Sequence, residues 1–491
     1  MRLRVLIVSA LVFCALFVAQ VMQGSPAVRV TSAAPAPYGY FDDNLPYFYN
    51  PASTSSSLVQ TPSGEKPQSK LWFNDGRWWG SIFNAAAGNY HIYWLNFATQ
   101  KWVDTGTVLD TRAQTKADCL WDGKYLYVAS GGGFDINGNG TTAVQPGWLY
   151  RFSYNATTKQ YTKDIGPVLI RNGGAETLVL GKDSFGVLWI TYTQNSKVYV
   201  NHSRTSDADW DPAAAMVVPT PDSRWTSLSP DDISTLVAFD GKIGILWNNE
   251  SAGQFSGSSD TAFYFAYHID GQADTLWTSA PIFRQPNAAD DHLNLKSLQA
   301  DAAGNVYAMV KTSFNTAGTP QLILLVAKKN ATGGYTWNWY TESIREEGQT
   351  RPLLMIDTSH RMLYVITSTE GGGSIYYKST SMDNIKFTTG ANTSRTLISK
   401  PGYAINNVSS TKQNVSAASG IVVLASHDNE SSVDTPAADY YFHNYIDLAG
   451  GGPTATPGTA TPTATSVPAT PIPTITPAGS SRHVFVPWST N

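Results

Sequence analysis

The middle of the chain repeats one pattern of apolar and polar residues. In each repeat a charged or polar residue precedes a short apolar run, a turn that often contains Asp and Gly follows, and a second apolar run comes next. The repeats begin at Lys70, Asp118, Glu176, Ser234, Ser297, Arg351 and Asn414. Their spacing of roughly 50 to 60 residues is typical of the blades of a β-propeller.

A third and a fourth apolar segment complete most repeats. The third segments are rich in Val, Ile, Tyr and Trp, as in His91-IYWLN and Ala262-FYFAYHID, and a weaker fourth segment such as Lys101-WVDTG usually follows. These residue types favour β-strands, so each repeat predicts an antiparallel four-stranded meander. We therefore predict an all-β chain forming a single β-propeller of seven four-stranded blades. Six or eight blades, or a pair of β-sandwiches, are the alternatives.

The seventh repeat lacks a fourth segment, whereas an unassigned aromatic stretch, residues 38–49, precedes the first repeat. We expect this N-terminal segment to pair with the last segment, residues 439–447, and to close the ring. Such pairing removes a sheet edge that would otherwise be exposed.

The N-terminus has the pattern of a signal peptide over residues 1–27. Arg2 and Arg4 precede an apolar stretch at residues 6–21, and small residues follow. An uncleaved membrane anchor is the alternative, although the stretch is short for a membrane span. Cleavage would leave Cys119 as the only cysteine, without an intrachain disulfide. We expect a secreted or cell-surface protein whose propeller domain occupies residues 28–448.

The C-terminus differs in composition. Residues 449–479 are mostly Pro, Thr, Ala and Gly, which predicts an extended linker, and residues 480–491 form a short apolar tail. This arrangement resembles the tails of secreted proteins from filamentous, Chloroflexus-type bacteria, which implies retention at the cell surface. A disordered spacer is the alternative. The net charge of −4 provides no basic field, so we expect no nucleic-acid partner, and we expect a monomer.

Charged residues make up only 14% of the chain, yet many precede the predicted first strands. In a propeller these strands line the central channel, and ligands usually bind at its mouth. The candidate acid, base or proton-transfer groups are Asp118, Glu176, Asp232 and His292. The candidate substrate-binding residues are Arg112, Lys116, Asp231, Asp291, Lys296, Arg351 and Lys412.

Carboxylates from several blades could supply a general acid and a general base across a sugar ring, and the cations could hold an anionic substituent. The alternative is a set of ion pairs lining the channel, which neutralise one another. His292 follows two aspartates, whose charge favours proton transfer near neutral pH. A satisfied structural histidine is the alternative for this position.

One loop has the opening half of a calcium-binding pattern. Asp135, Asn137 and Asn139 alternate and Gly140 follows, but Pro146 stands where a closing Glu belongs. An ordinary surface turn is the alternative. No His or Cys cluster has zinc-ligand spacing, so we expect no required cofactor, with a structural calcium ion as an option.

Two turns resemble the Asp-box of secreted sialidase-like propellers in worn form: Ser203-RTSDADW and Ser381-MDNIKF. That resemblance implies a propeller, and in the family catalysis uses an arginine triad, a Tyr/Glu pair and an acidic Asp. Arg112, Arg351 and Glu176 match by type and location, whereas no third arginine or tyrosine is clearly placed. A uronate lyase or another glycosidase is equally open on this fold.

The sequence therefore predicts a secreted carbohydrate-active enzyme, a glycoside hydrolase or a lyase, that cleaves an acidic glycan at the channel mouth between Glu176 and Asp232. The alternative is a non-catalytic surface propeller that binds a polysaccharide, a glycoconjugate or a protein through the same face.

Overall fold

The computed structural model describes residues 38–47, 62–64, 66–132, 145–251, 253–297, 303–427 and 439–450, with the backbone alone for residues 295–297. These residues form 28 β-strands and three 3-10 helices, and the strands form seven antiparallel sheets of four strands. The prediction of a seven-bladed β-propeller with four-stranded blades is confirmed.

The blades follow one another in chain order after β1 (Tyr40–Tyr47). Blade 1 contains β2 (Leu71–Asn74), β3 (Arg77–Asn84), β4 (Asn89–Asn96) and β5 (Lys101–Asp110). Blade 2 contains β6 (Lys116–Trp121), β7 (Tyr125–Gly132), β8 (Gln145–Asn155) and β9 (Gln160–Arg171). Blade 3 contains β10 (Leu178–Lys182), β11 (Leu188–Gln194), β12 (Lys197–His202) and β13 (Met216–Val217).

Blade 4 contains β14 (Ser234–Phe239), β15 (Lys242–Asn249), β16 (Asp260–Ile269) and β17 (Thr278–Pro286). Blade 5 contains β18 (Leu293–Ser297), β19 (Val306–Lys311), β20 (Pro320–Lys329) and β21 (Tyr335–Ile344). Blade 6 contains β22 (Gln349–Asp357), β23 (Met362–Thr369), β24 (Ile375–Ser381) and β25 (Arg395–Ile398). Blade 7 contains β26 (Ile405–Ser409), β27 (Ile421–His427) and β28 (Asp439–Ile446), and the 3-10 helices are Pro212–Ala214, Ser223–Thr226 and Arg345–Glu347.

The first strand of the chain closes the ring. β1 pairs with β28 in antiparallel register, from Tyr40 opposite His443 to Tyr47 opposite Asp439, and it is the fourth strand of blade 7. The predicted pairing of the two ends of the chain is therefore confirmed. Because β1 supplies the fourth strand of blade 7, β28 is not left as an exposed sheet edge.

The Asp-Gly turns of the sequence form two-residue hairpins. Asp75 and Gly76 have φ values of 52° and 69°, and Asp240 and Gly241 have φ values of 46° and 67°. Positive φ at both central residues is the geometry that matches the twist of antiparallel strands, and Asp-Gly favours it. Each hairpin joins the first strand of a blade to the second strand and therefore lies at the face opposite the strand entries.

Large apolar side chains fill the spaces between neighbouring blades. Trp72 and Trp79 of blade 1 are fully buried, and the Trp72 indole donates a hydrogen bond of 2.8 Å to the Tyr161 hydroxyl of blade 2. Cys119 is buried among apolar residues as expected, and burial raises the pKa of its thiol. No helix among the described residues is both long enough and apolar enough to cross a membrane.

Several predicted features lie outside the described residues. They are the signal peptide at residues 1–27, the linker beyond residue 450, the apolar tail, and the calcium loop with Asp135, Asn137 and Asn139. These features stay predictions.

Candidate active site at the channel mouth

Three consecutive blades each place a carboxylate immediately before their innermost strand. Glu176 precedes β10 by two residues, Asp231 precedes β14 by three, and Asp291 precedes β18 by two. Their carboxylate oxygens lie within 4.8 Å of one another. We call Glu176, Asp231 and Asp291 the mouth cluster. Equivalent positions in neighbouring blades converge on the ring axis, so residues more than 100 positions apart in sequence meet here.

A lysine lies at the centre of this cluster. Lys66 Nζ is 2.7 Å from Glu176 Oε1 and 3.7 Å from Asp231 Oδ1, and it also donates a hydrogen bond to Asp291 Oδ2. The Lys66 side chain is only 6% exposed, whereas the Asp231 side chain is 38% exposed. The ammonium therefore neutralises part of the negative charge of the mouth cluster, and Asp231 is the carboxylate of the cluster that is most exposed to solvent.

Lys66 belongs to a segment that crosses the channel, residues 62–64 and 66–70, which we call the strap. Ser63 Oγ donates a hydrogen bond of 2.6 Å to the Asn407 carbonyl at blade 7. Further along, Gln68 Nε2 donates to a blade 3 carbonyl at 3.2 Å, and Lys70 Nζ donates to the Ala117 carbonyl of blade 2 at 2.6 Å. With the contacts of Lys66 to blades 3, 4 and 5, these bonds attach the strap to five blades, 2, 3, 4, 5 and 7.

The environment gives two neighbouring carboxyls opposite proton affinities. Burial, reinforced by the charge of Asp291, raises the pKa of Asp231 although Lys66 opposes this. Burial also acts to raise the pKa of Asp291, but the His292 ring and the Lys66 ammonium outweigh it and hold that pKa well below the usual range. Two adjacent like charges resist simultaneous ionisation, so Asp231 loses its proton at a higher pH than Asp291 does.

The His292 ring contacts the carboxylates of both preceding residues, Asp290 and Asp291. Its Nδ1 lies 2.6 Å from Asp290 Oδ1 and 2.5 Å from Asp291 Oδ1, while Lys311 Nζ lies 3.2 Å from the other oxygen of Asp290. The His292 Nε2 atom is buried and has no hydrogen-bond partner in the described part of the chain. This arrangement makes His292 a positioning residue for Asp291.

Asp232 occupies a different place from its neighbour Asp231. Its side chain is fully buried, its carboxylate accepts hydrogen bonds from the backbone N–H groups of Ser229 at 2.7 Å and Glu250 at 3.2 Å, and Asn248 Nδ2 donates a third. Burial, with the charge of Glu250, raises the pKa of Asp232 to about 8 despite these donors. Asp232 therefore anchors the loop before β14, and Asp231 faces the mouth.

Asp118 and Lys412 form a buried ion pair deeper in the channel. Lys412 Nζ lies 2.6 Å from Asp118 Oδ2 and also 2.6 Å from the carbonyl of Leu180. The Asp118 carboxylate accepts backbone N–H bonds from Ser69 at 2.8 Å and from Leu180 at 2.7 Å. Both charged groups have partners inside the protein. This agrees with the alternative in which ion pairs line the channel.

The other predicted cations are not assembled at one point. Arg112 pairs with Asp110 at 2.7 Å and stacks on Trp148, and Lys116 begins β6. Lys296 lies on β18, but its side chain is outside the described residues. Arg351 lies on the innermost strand of blade 6 at a β-bulge, with φ of 50°, and its buried Nε has no hydrogen-bond partner among the described residues.

Within the part of the chain that the structure describes, two groups of side chains have donor spacing that could hold a metal ion: the mouth cluster itself, and Asp290, Asp291 and His292. Carboxylate oxygens are the ligands that calcium and magnesium prefer. In the mouth cluster the Lys66 ammonium already lies among the three carboxylates, and it supplies the positive charge that such an ion would bring.

No protein-family model matches the chain, and no curated protein matches it. Solved structures resemble it in fold. A polysaccharide lyase, Uly1, aligns over 84% of this chain and 98% of its own at 10% identity, with a TM-score of 0.44. A protein of unknown function from Dyadobacter fermentans aligns over 66% and 91% at 11% identity, with a TM-score of 0.41.

A GH43 protein from Bacillus licheniformis, BlXynB, aligns over 82% of this chain and 97% of its own at 10% identity, with a TM-score of 0.32. Glycoside hydrolases and a polysaccharide lyase are thus among the structures similar to this chain. At this level of similarity the likeness concerns the arrangement of strands alone.

Proposed function

We propose that the chain is a glycan-cleaving hydrolase whose reaction takes place at the mouth cluster. The observation that carries this proposal is the pairing of Asp231 and Asp291, two adjacent carboxyls from neighbouring blades with pKa values displaced in opposite directions. Acid/base catalysis near neutral pH requires such a pair, with one group protonated and the other ionised.

The roles follow from exposure and charge. Asp231, the more exposed member and the one whose pKa is raised, donates its proton to the glycosidic oxygen as the bond between that oxygen and the sugar breaks. Asp291, held ionised by Lys66 and His292, stabilises the positive charge on the sugar and bonds to its anomeric carbon. Water then attacks that carbon, returns its proton to Asp231 and releases Asp291. Glu176 fixes the Lys66 ammonium.

The spacing of the carboxylates predicts the stereochemistry. Inverting enzymes separate their two carboxyls by about 6.5 to 9.5 Å to seat a water molecule, whereas retaining enzymes use about 5 to 5.5 Å. Oxygens within 4.8 Å of one another lie closer together than the spacing of inverting enzymes. The proposed reaction therefore retains the anomeric configuration.

Arg351 supports an acidic glycan as the substrate. It lies one blade beyond Asp291, and the structure shows no carboxylate partner for its guanidinium among the described residues. A free guanidinium suits a carboxylate or sulfate substituent. We do not extend the proposal to sialic acids, because Arg112 is paired with Asp110 and stacked on Trp148. Secretion, proposed from the N-terminal pattern, would bring the protein to such glycans.

One observation favours a second function, that of a glycan-binding module. Lys66 neutralises part of the mouth cluster, and Lys412 neutralises Asp118 below it. If the substrate does not displace the Lys66 contacts, the mouth would bind a glycan without cutting it.

The test is a screen of acidic and neutral polysaccharides for new reducing ends, with wild type, Asp291→Asn and the matched control Asp383→Asn. Asp383 is 63% exposed and pairs only with Arg361 among the described residues. We expect cleavage by wild type and the control, and a rate lower by about 10² to 10⁴ for Asp291→Asn. Glycan binding without cleavage by wild type would establish the binding module instead, and an unsaturated product would show elimination and overturn the hydrolytic mechanism.

A further inference from the structure

A cavity of about 570 Å³ lies inside the ring, below the strap. The innermost strands of blades 2, 3, 4 and 5 line it, together with residues 412–414 of blade 7. Pro67, next to Lys66, lines the end nearest the mouth cluster. Asp122 and Ser184, on exposed hairpins, line the opposite end. The cavity therefore opens on the face opposite the mouth, and Lys66, Pro67 and the Asp118–Lys412 pair separate it from the mouth cluster.

The size of this cavity suits a small organic ligand. Binding pockets for small molecules usually measure about 300 to 1,000 Å³, and a volume of 570 Å³ would hold on the order of twenty water molecules. Apolar residues of the inner strands form part of its lining, among them Leu120, Leu180, Leu236 and Val237. A ligand therefore needs an apolar face as well as polar groups.

The charged residues of the lining are already paired inside the protein. Lys182 Nζ lies 2.6 Å from Asp122 Oδ2, and Lys412 Nζ lies 2.6 Å from Asp118 Oδ2. Asp183 accepts two backbone N–H bonds from its own hairpin and one from an indole. Because these charges have partners, the lining has no strong preference for an ionic ligand.

One buried polar group of the lining lacks a partner. Asn294 of β18 is only 3% exposed, and its Oδ1 has no hydrogen-bond partner among the described residues. An unpaired buried amide oxygen destabilises the protein. A hydroxyl donor on a ligand would supply the missing hydrogen bond after a small rotation of the amide.

We propose that this cavity is a second binding site, which takes a neutral polyhydroxylated molecule of monosaccharide size. A pyranose ring offers the required combination, because its hydroxyls can donate to Asn294 and its C–H face can pack on Leu120, Val237 and Ala238 of the lining. The site lies on the opposite side of the strap from the mouth cluster and does not depend on the proposed catalytic activity.

The test is saturation-transfer NMR with the full-length protein and a panel of neutral hexoses and hexitols, with glucuronate as the charged comparator. We expect saturable binding of at least one neutral compound and a stronger signal for it than for glucuronate. Asn294→Leu should weaken binding at least tenfold. Ala238→Trp, which fills the cavity from its rim, should abolish it, and it provides a second variant if Asn294→Leu does not fold.

Asp231→Asn, which alters the mouth cluster alone, and Asn384→Leu, an exposed asparagine outside the cavity, should bind as wild type does. The proposal is overturned if no neutral compound binds wild type saturably, or if binding persists undiminished in the folded cavity variants. Loss of binding in Asp231→Asn would place the ligand at the mouth and would also contradict it.

Discussion

Asp42 and His443 join the first and last strands of the described propeller, because His443 Nδ1 lies 2.9 Å from Asp42 Oδ2 across 401 positions of sequence. Both side chains are buried, and His443 Nε2 also faces Gln100 Oε1 at 3.2 Å. The contact connects the closing strand β1 to β28 and to blade 1. It therefore stabilises the point at which the ring is closed without a covalent bond.

Removing this contact should destabilise the whole propeller. Asp42→Ala leaves the buried His443 ring without its hydrogen-bond partner, and an unsatisfied buried polar group costs about 1 to 3 kcal/mol. The adjacent Asp43→Ala is the control, because Asp43 is 62% exposed and such surface changes stay within about 0.5 kcal/mol. Denaturant unfolding compares the two variants. Equal midpoints would show that closure does not depend on Asp42.

The stability of the protein should fall between acidic and slightly alkaline pH because of Glu342. Burial, with the charge of Glu347, raises the pKa of Glu342 to about 7 although Lys378 opposes this. The folded state then holds the proton more tightly than the unfolded chain, whose value is 4.5. This contribution to stability is complete below about pH 4.5 and is lost as the pH rises through 7.

Glu342→Gln removes this dependence, because the amide resembles the protonated acid. We expect the variant to exceed wild type in unfolding free energy at pH 8, by up to about 3 kcal/mol, and the two to converge near pH 4. Glu346→Gln, at an exposed position, should track wild type at both pH values. A gap between Glu342→Gln and wild type that is the same at pH 4 and pH 8 would contradict the assignment.

Lys66 should stabilise the mouth cluster most strongly near neutral pH. Lys66→Met removes the ammonium that helps to lower the pKa of Asp291, so the carboxylates repel one another once ionised. The stability that a depressed carboxyl pKa provides is present above the unfolded value and is lost as the pH falls. Because the folded pKa of Asp291 lies well below the usual range, we expect a large drop in melting temperature at pH 7 and a drop that persists near pH 3.

Lys101→Met provides the comparison for Lys66→Met, since Lys101 is 53% exposed and pairs with an exposed aspartate. Its melting temperature should stay close to that of wild type at both pH values. If Lys66→Met melts like Lys101→Met at pH 7, the strap does not hold the cluster together.

The rate of glycan cleavage should decline on the alkaline side of its pH profile. Asp231 must be protonated, so activity falls as the pH rises through its raised pKa, whereas Asp291, whose pKa lies well below the usual range, stays ionised at ordinary acidic pH and causes no decline there. In Asp231→Asn the alkaline decline should disappear from the residual rate. A profile of kcat/KM against pH for both proteins measures this, and an unchanged alkaline limb in the variant would assign the acid to another group.

The repeat made most of the fold predictable. The Asp-Gly turns, the β-branched and aromatic strands and the missing fourth segment of the last repeat are local features, and they are sufficient to predict blades and ring closure. Glu176 and Asp291 were also predictable as mouth residues, because equivalent positions in a repeat converge on the axis.

The rest of the site depends on contacts that no repeat encodes. Lys66 lies in the strap, outside the repeated units, so the sequence pattern gives no sign that it reaches blades 3 to 5. The choice between Asp231 and Asp232 is set by the loop before β14, whose backbone N–H groups and Asn248 hold Asp232 inside. Lys412 of blade 7 pairs with Asp118 of blade 2, almost 300 positions away in the sequence. A local motif cannot predict a pairing between residues so far apart.

The most direct measurement compares the same substitution at two adjacent residues, Asp231→Asn and Asp232→Asn, on the glycan that wild type cleaves. Asp231 faces the mouth and Asp232 is fully buried beneath it. We predict a fall in kcat of about 10² to 10⁴ for Asp231→Asn and a fall of less than about tenfold for Asp232→Asn, with both proteins folded. Equal rates for the two variants, or a greater loss for Asp232→Asn, would contradict catalysis by the mouth cluster.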